Sequence, residues 1–263
     1  MQLVSVLIIT FNAQKYVIEC LESIERQTYQ EMEIIISDDA SSDETTALIK
    51  QFQQKSNRVI KLQVNHHRQG TYKNLKTAMY LCNGSYIAYL EGDDYWTDPE
   101  KISKQIKTLH EQKNFVAIAT QSYRLSDAGL TLYRKEIKDQ YNVQDILGFT
   151  PFHSSTFFFE RSAIDKLPLR FEKCISNDKT LYLLCAIKSP ILFFNEVTSV
   201  YRMHSDSISG SGRFLFLQLK QLQWLWHANL FTRCRFAKSI LQIAWNNHLK
   251  LMLKYLIREK TIH

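Results

Sequence analysis

The sequence predicts an α/β protein with a mostly parallel central sheet covered by helices, and amphipathic helices added at its C-terminal end. Three observations lead there. Apolar runs of strand length alternate with segments of helical period through the first 122 residues. Carboxylates cluster where those runs stop, at Asp38-Asp39 and Asp93-Asp94. Basic residues crowd the segment after Gly212, which contains a single acid, Glu259.

The elements follow in order. Leu3 to Thr10 is apolar but for Ser5 and Thr10, as expected of a strand buried on both faces. Gln14 to Gln27 places Val17, Cys20, Leu21 and Ile24 on one helical face. Met32 to Ser37 is a second strand, leading into the polar loop Asp38 to Asp43, whose last residues can cap a helix from Glu44 to Gln54. A strand over Val59 to Val64 and a helix over Thr71 to Leu81 come next, then the strand Tyr86 to Leu90. Asp98-Pro99-Glu100 opens another helix, proline being suited to a first turn, and Phe115 to Thr120 is a fifth strand. This β-α alternation implies right-handed crossovers and parallel pairing. Beyond Ser122 the expected elements are a hairpin arm at Leu130 to Arg134, a strand at His153 to Phe159 and a helix at Asn177 to Ala186. Short strands at Ile191 to Phe194 and Val197 to Tyr201 follow, and the tail reads as two or three helices. The domain reading is 1–212 for the main body, split at residue 122 into two halves, and 213–263 for the helical tail.

Composition is ordinary for a globular chain of 263 residues, 45% hydrophobic and 22% charged. With only seven glycines and four prolines, a disordered segment is not expected. No signal peptide and no spanning segment of about 20 apolar residues is read, so the expected location is the cytoplasm, with the tail peripheral on the inner face of the plasma membrane. The five cysteines show no CxxC spacing and read as reduced thiols; His66-His67 reads as loop surface. The net charge of +7 resides in the tail, where Arg213, Lys220, Arg233, Arg235, Lys238, Lys250, Lys254, Arg258 and Lys260 meet one acid. Lys250, Lys254 and Arg258 are spaced to form one helical stripe, with Leu249, Met252, Leu253, Leu256 and Ile257 nearby and Trp224, Trp226 and Trp245 as interfacial aromatics. Two readings stand side by side: a tail lying on an anionic membrane, and a tail packed on the domain. No nucleic-acid-binding motif accompanies the charge, and nucleic acid is not an expected partner.

The chemistry is expected at the strand ends. Ligands of open α/β sheets bind beyond the carboxyl ends of the strands. Thr10-Phe11-Asn12, Asp38-Asp39 and Asp93-Asp94 all fall there. An adjacent carboxylate pair repels itself unless a cation or donors hold it, and oxygen-only ligands favour Mn2+ or Mg2+, which commonly arrives with phosphate. An aromatic to stack a base, a carboxylate for a base N–H and a metal pair for a diphosphate together suggest a nucleotide pocket. GxGxxG, GxxxxGK[ST] and GxSxG are all absent, which disfavours a dinucleotide fold, a P-loop NTPase and an α/β-hydrolase.

The motifs together resemble family 2 glycosyltransferases of the GT-A fold. The matching residues are Val4 to Asn12, Ser23 to Thr28, Glu33 to Asp43 and Gly84 to Trp96. They continue with His153-Ser154-Ser155, Asn177-Asp178, and Tyr201 to His204 with Ser207 and Ser209. The resemblance implies an inverting, metal-dependent transferase that uses a nucleotide-diphosphate sugar, a UDP-sugar by analogy, and a glycan or lipid-linked acceptor in surface polysaccharide synthesis. It implies that Phe11 stacks on the base, flanked by Thr10 and Asn12, and that Asp39 meets a uracil N–H. Asp93 would lie near the ribose or share the metal, Asp94 would hold Mn2+ or Mg2+, and His204 would close over phosphate or metal. Asp178 would be the general base, although Asn177 stands where the family often has an acid; Lys73 could neutralise phosphate charge, but reads more simply as a surface lysine on a helix. Two alternatives remain. A nucleotidyltransferase would need a glycine-rich basic loop after the first strand, and Thr10-Phe11-Asn12-Ala13 has no glycine. A catalytically inactive sugar-nucleotide- or carbohydrate-binding partner of a synthase would not need Asp93, Asp94 and Asp178 together.

Overall fold

A computed structural model describes residues 2–164, 166–172, 174, 177–204 and 214–252. Strands β1 (Val4–Thr10), β2 (Met32–Asp38), β3 (Val59–Val64) and β4 (Tyr86–Glu91) alternate with helices α1 (Val17–Glu25), α2 (Thr45–Gln53) and α3 (Thr71–Leu81). After β5 (Tyr95–Trp96) come α4 (Lys101–Glu111), β6 (Ala117–Ser126), β7 (Gly129–Leu132), β8 (Gln140–Tyr141) and α5 (Val143–Gly148). Then follow β9 (Phe158–Glu160), α6 (Asn177–Lys188), β10 (Ile191–Arg202), α7 (Phe214–Phe231) and α8 (Ala237–Ile243), which runs into a π-helical turn at Ala244–Leu249.

One sheet carries the molecule, in the order β3-β2-β1-β4-β9-β6-β10-β5, with β7 on β6 and β8 on β10. The pairs β1–β2, β1–β4, β2–β3 and β6–β10 are parallel, and β9 is antiparallel to both its neighbours. Alternation along β1 builds a core on each face. Leu7 and Ile9 join a cluster with Ile35, Tyr72 and Leu75, while Val4, Val6 and Ile8 join one with Val17, Leu21 and Ile34. That two-sided burial is why β1 and β2 read as mostly apolar runs, broken inside by Ser5 and Glu33, whose side chains bond each other at 2.7 Å.

From β1 to α4 the expected elements hold to within a few residues at their ends; the strand expected at Phe115 to Thr120 is β6, which runs on to Ser126, and the short β5 is not among the expected elements. Two later ones need correction. The stretch 153–159 is not a single strand: Ser154–Thr156 forms a 3-10 turn and only Phe158–Glu160 pairs. Local hydroxyl bonding competes with the ladder, since Thr156 Oγ1 donates to the His153 carbonyl at 2.8 Å and Ser155 Oγ bonds Ser199 Oγ at 2.9 Å. The two strands expected at 191–201 are one, β10, whose register against β6 shifts around exposed Asn195 and Glu196.

The tail packs on the domain. Trp224, Leu225 and Ala228 of α7 and Ile240 of α8 enter the first core cluster. Trp224 Nε1 donates to Thr180 Oγ1 at 3.0 Å, so this tryptophan is a core anchor and not an interfacial aromatic. Trp226 and Trp245 are 61% and 53% exposed. Arg213, Leu253, Lys254, Leu256, Ile257, Arg258, Lys260, Ser207 and Ser209 lie outside the described residues. Among those described, no helix is long and apolar enough to cross a membrane.

Candidate active site

The carboxyl ends of β1, β2 and β4 open into a cleft of about 650 Å³, and the start of α6 and one turn of α7 complete its wall. Phe11, Asp39, Asp93, Asp178 and His204 line it, so residues from five distant segments share one cavity.

The first two loops are tied together by their own polar groups. Asn12 sits at φ 50°, and its Oδ1 accepts from the Ser42 amide at 2.9 Å while its own amide donates to Ser41 Oγ at 2.9 Å. Asp38 is fully buried and serves structure: its carboxylate accepts from Thr10 Oγ1 at 2.7 Å and from the Ser41 amide at 2.8 Å. Asp43, just before α2, accepts from the amide of its first residue, Thr45, at 3.0 Å. Asp39 faces the cleft. Its carboxylate accepts from the amides of Gln69 and Gly70 at 2.8 and 2.9 Å, which pins the loop before α3 over β2. Asn65 Nδ2 also donates to Asp39 Oδ1 at 3.2 Å, which leaves Oδ2 as the oxygen with acceptor capacity for a ligand N–H. Phe11 is 38% exposed, with the Arg68 guanidinium 4.0 Å from its ring centre.

The end of β4 holds the acids. Gly92 passes so close to β1 that a Cβ there would lie 2.6 Å from Thr10 Cγ2 and 3.3 Å from the Ile9 carbonyl. This close approach sets Glu91, Asp93 and Asp94 beside the first loop. The three offer one oxygen each within 4.8 Å of one another. Asp93 lines the cleft and meets His204 Nε2 at 3.1 Å. Asp94 turns the other way, beneath the cleft floor, where it is fully buried. Its Oδ1 accepts from the Arg202 amide at 2.9 Å, and its Oδ2 lies 3.4 Å from His153 Nδ1 without a hydrogen-bond donor. Arg202 also donates to the Asp93 carbonyl at 2.7 Å and pairs with Glu19, clasping the turn to β10. Trp96 is buried as well, donating to the Ser155 carbonyl at 2.8 Å, and supports the floor without reaching a ligand.

Burial and crowding shape the charges. Loss of water, then the charges of Asp93 and Asp178, push the Glu91 carboxyl up to about 8. Burial, then Asp93 and Glu91, hold Asp94 well above the usual carboxylate range. Burial also lowers His153 to about 3, so it is a neutral ring stacked 4.0 Å from Tyr201. Asp178, in the first turn of α6, is raised by desolvation, with backbone N–H groups, the Lys179 ammonium and the Tyr182 hydroxyl acting in the opposite sense.

The structure gathers Thr10, Phe11, Asn12, Asp39, Asp93, Asp178 and His204 around the cleft and sets Asp94 under it. It does not bring in Lys73, which points outward and pairs with Glu172 at 2.7 Å. Glu91 is the residue that sequence reasoning passed over. Its only signal was its place two residues before Asp93, where a strand end and a glycine turn aim both at the same point.

The acid trio fits a divalent cation. The donors are all carboxylate oxygens, the set that hard ions prefer, and a buried Asp94 oxygen lacks a donor.

Residues 5–168 match the profile described as glycosyl transferase family 2. The UDP-Glc:alpha-D-GlcNAc-diphosphoundecaprenol beta-1,3-glucosyltransferase WfaP of Escherichia coli is 29% identical over 80% of this chain and 81% of its own. The Staphylococcus aureus TarS 1-349 structure in complex with UDP superposes with a TM-score of 0.66, at 17% identity, over 94% of this chain and 72% of that one. The mannosyltransferase PcManGT of Pyrobaculum calidifontis, in complex with GDP-Man and Mn2+, gives 0.65 at 15% identity over 92% and 73%. Both likenesses concern the fold, an α/β GT-A architecture. The chain spans 60% of the length of the uncharacterized mycobacterial relatives it matches at 27% identity. With 5–168 covered by the profile, the chain belongs to glycosyl transferase family 2.

Proposed function

We propose that this protein transfers a sugar from a nucleotide-diphosphate donor, a UDP-sugar, to a hydroxyl of a glycan or lipid-linked acceptor, with inversion at the anomeric carbon. The observation that carries the reading is the meeting of Phe11, Asp39, Asp93 and Asp178 in one cleft. Phe11 offers the base a stacking face, and Asp39 offers an acceptor for its N–H. Asp178 takes the proton of the acceptor hydroxyl as that oxygen attacks the anomeric carbon and the bond to the diphosphate breaks on the opposite face. A single displacement with one base and no protein nucleophile gives inversion. Glu91, Asp93 and Asp94 would hold Mn2+ or Mg2+, which as a Lewis acid offsets charge on the departing diphosphate. The uridine base and the lipid-linked acceptor are supported by the names of the Escherichia coli relative and of the staphylococcal complex.

The test is a thermal-shift screen of UDP- and GDP-sugars with and without Mn2+, followed by NMR assignment of the product anomer. The matching donor at about 100 times its Kd should add about 2.7 kcal/mol of apparent stability. A screen in which no sugar nucleotide raises the melting temperature would remove the reading.

The tail favours an anionic lipid surface as the place of action. On α7, Leu219, Trp226 and Leu230 share the face opposite buried Trp224, Leu225 and Ala228. Exposed Arg233, Arg235 and Lys238 follow, and residues 214–252 contain no acid. The full chain is expected to float with phosphatidylglycerol vesicles at low salt and to release at high salt. Equal flotation of Trp226→Ser with Leu230→Ser would exclude this face.

A further inference from the structure

The cleft has a charge problem. Asp39, Glu91, Asp93 and Asp178 all line it, and a nucleoside diphosphate would enter carrying two or more negative charges. Among the described residues that line it, the only lysine or arginine is Arg68. Lys73, which the family resemblance offered for this task, is engaged with Glu172 outside the cleft.

Arg68 is also placed to respond to a ligand. Its loop is fixed, because the amides of the next two residues, Gln69 and Gly70, are held by Asp39, and Gly70 turns at φ 88° into α3. Its side chain is exposed and, among the described residues, forms no ion pair; its guanidinium lies on Phe11 at 4.0 Å. That separation is one van der Waals stack, so a base cannot enter between the two groups. A base that takes this face of Phe11 must lift the guanidinium off, and the freed side chain stays on a loop pinned by Asp39, in the same cavity as Glu91 and Asp93.

We propose that Arg68 is the donor-binding cation of this cleft: it covers Phe11 and exchanges that stack for the diphosphate when the base arrives. The inference rests on the sugar-nucleotide reading above and adds a residue to it. The test compares binding of UDP and of uridine to the full chain carrying Arg68→Gln or Arg68→Lys, at fixed Mn2+, by calorimetry and ligand-observed NMR. Arg68→Gln is expected to weaken UDP at least about tenfold while uridine binds as well as before or better, its platform no longer covered. Arg68→Lys should retain part of the UDP affinity. Equal losses for UDP and uridine would overturn the proposal in favour of stacking on the base alone. Unchanged UDP affinity would reduce Arg68 to a surface residue resting on Phe11. A wild-type chain that binds no nucleoside diphosphate would defeat the functional reading itself, which is a different result. Melting temperatures of both variants serve as the folding control, and an exposed side chain is expected to leave them unchanged.

Discussion

Asp178→Asn is expected to slow sugar transfer by about 10²- to 10⁴-fold, the usual worth of a positioned general base. Donor affinity should stay within about twofold, because the lost function is a proton acceptor needed only as the acceptor oxygen attacks. The fold should survive, since asparagine suits a helix N-terminus nearly as well as aspartate. A pH profile gives a second readout. Desolvation raises the Asp178 pKa, so wild-type transfer should fall as pH drops through a value above the ordinary carboxylate range, and any residual activity of the variant should lack that limb. Loss of donor binding in Asp178→Asn, measured by calorimetry, would instead assign this carboxylate to the donor.

Asp93→Asn should produce two effects of opposite sign. Stabilisation by Mn2+ is expected to disappear, because one oxygen ligand of the trio loses its charge. The metal-free protein should become more stable by about 1 kcal/mol, because three carboxylates with oxygens within 4.8 Å repel one another. The Glu91 carboxyl, pushed up to about 8, reports the same repulsion. Between its ordinary value of 4.5 and about 8 the native protein holds a proton that the unfolded chain has released, so metal-free stability should decline as pH rises through that window. At pH 7 the arrival of the ion should expel about one proton, visible as a buffer-dependent heat. Scanning calorimetry of wild type and variant, with and without Mn2+, checks each sign. A variant that still gains stability from the ion would place the metal elsewhere.

Periodicity disclosed the first six elements because each satisfies its own pattern: two-sided burial in β1 and β2, one apolar face in α1. The acids were visible because strand ends are marked by an abrupt change from apolar to charged residues. What the chain concealed was direction. Asp93 and Asp94 are neighbours, yet one faces the cleft and the other lies beneath it, since successive side chains of a tight turn diverge. Glu91 belongs with them through depth, and depth has no sequence signature. Lys73 and Arg68 lie five positions apart, and only the hold of Asp39 on the Gln69 and Gly70 amides decides which of them reaches the cleft. Trp224 was misread for a related reason: the polarity of α7 as a whole does not say which of its aromatics the core accepts.

The place of β9 has a consequence for biosynthesis. This three-residue strand separates β4 from β6, so the central seam of the sheet is closed by residues made well after both of its neighbours. During translation β4 therefore waits with one row of amides and carbonyls unanswered until Phe158–Glu160 leaves the ribosome. The β4 edge of the nascent chain is thus covered only once residues well beyond 122 have been delivered.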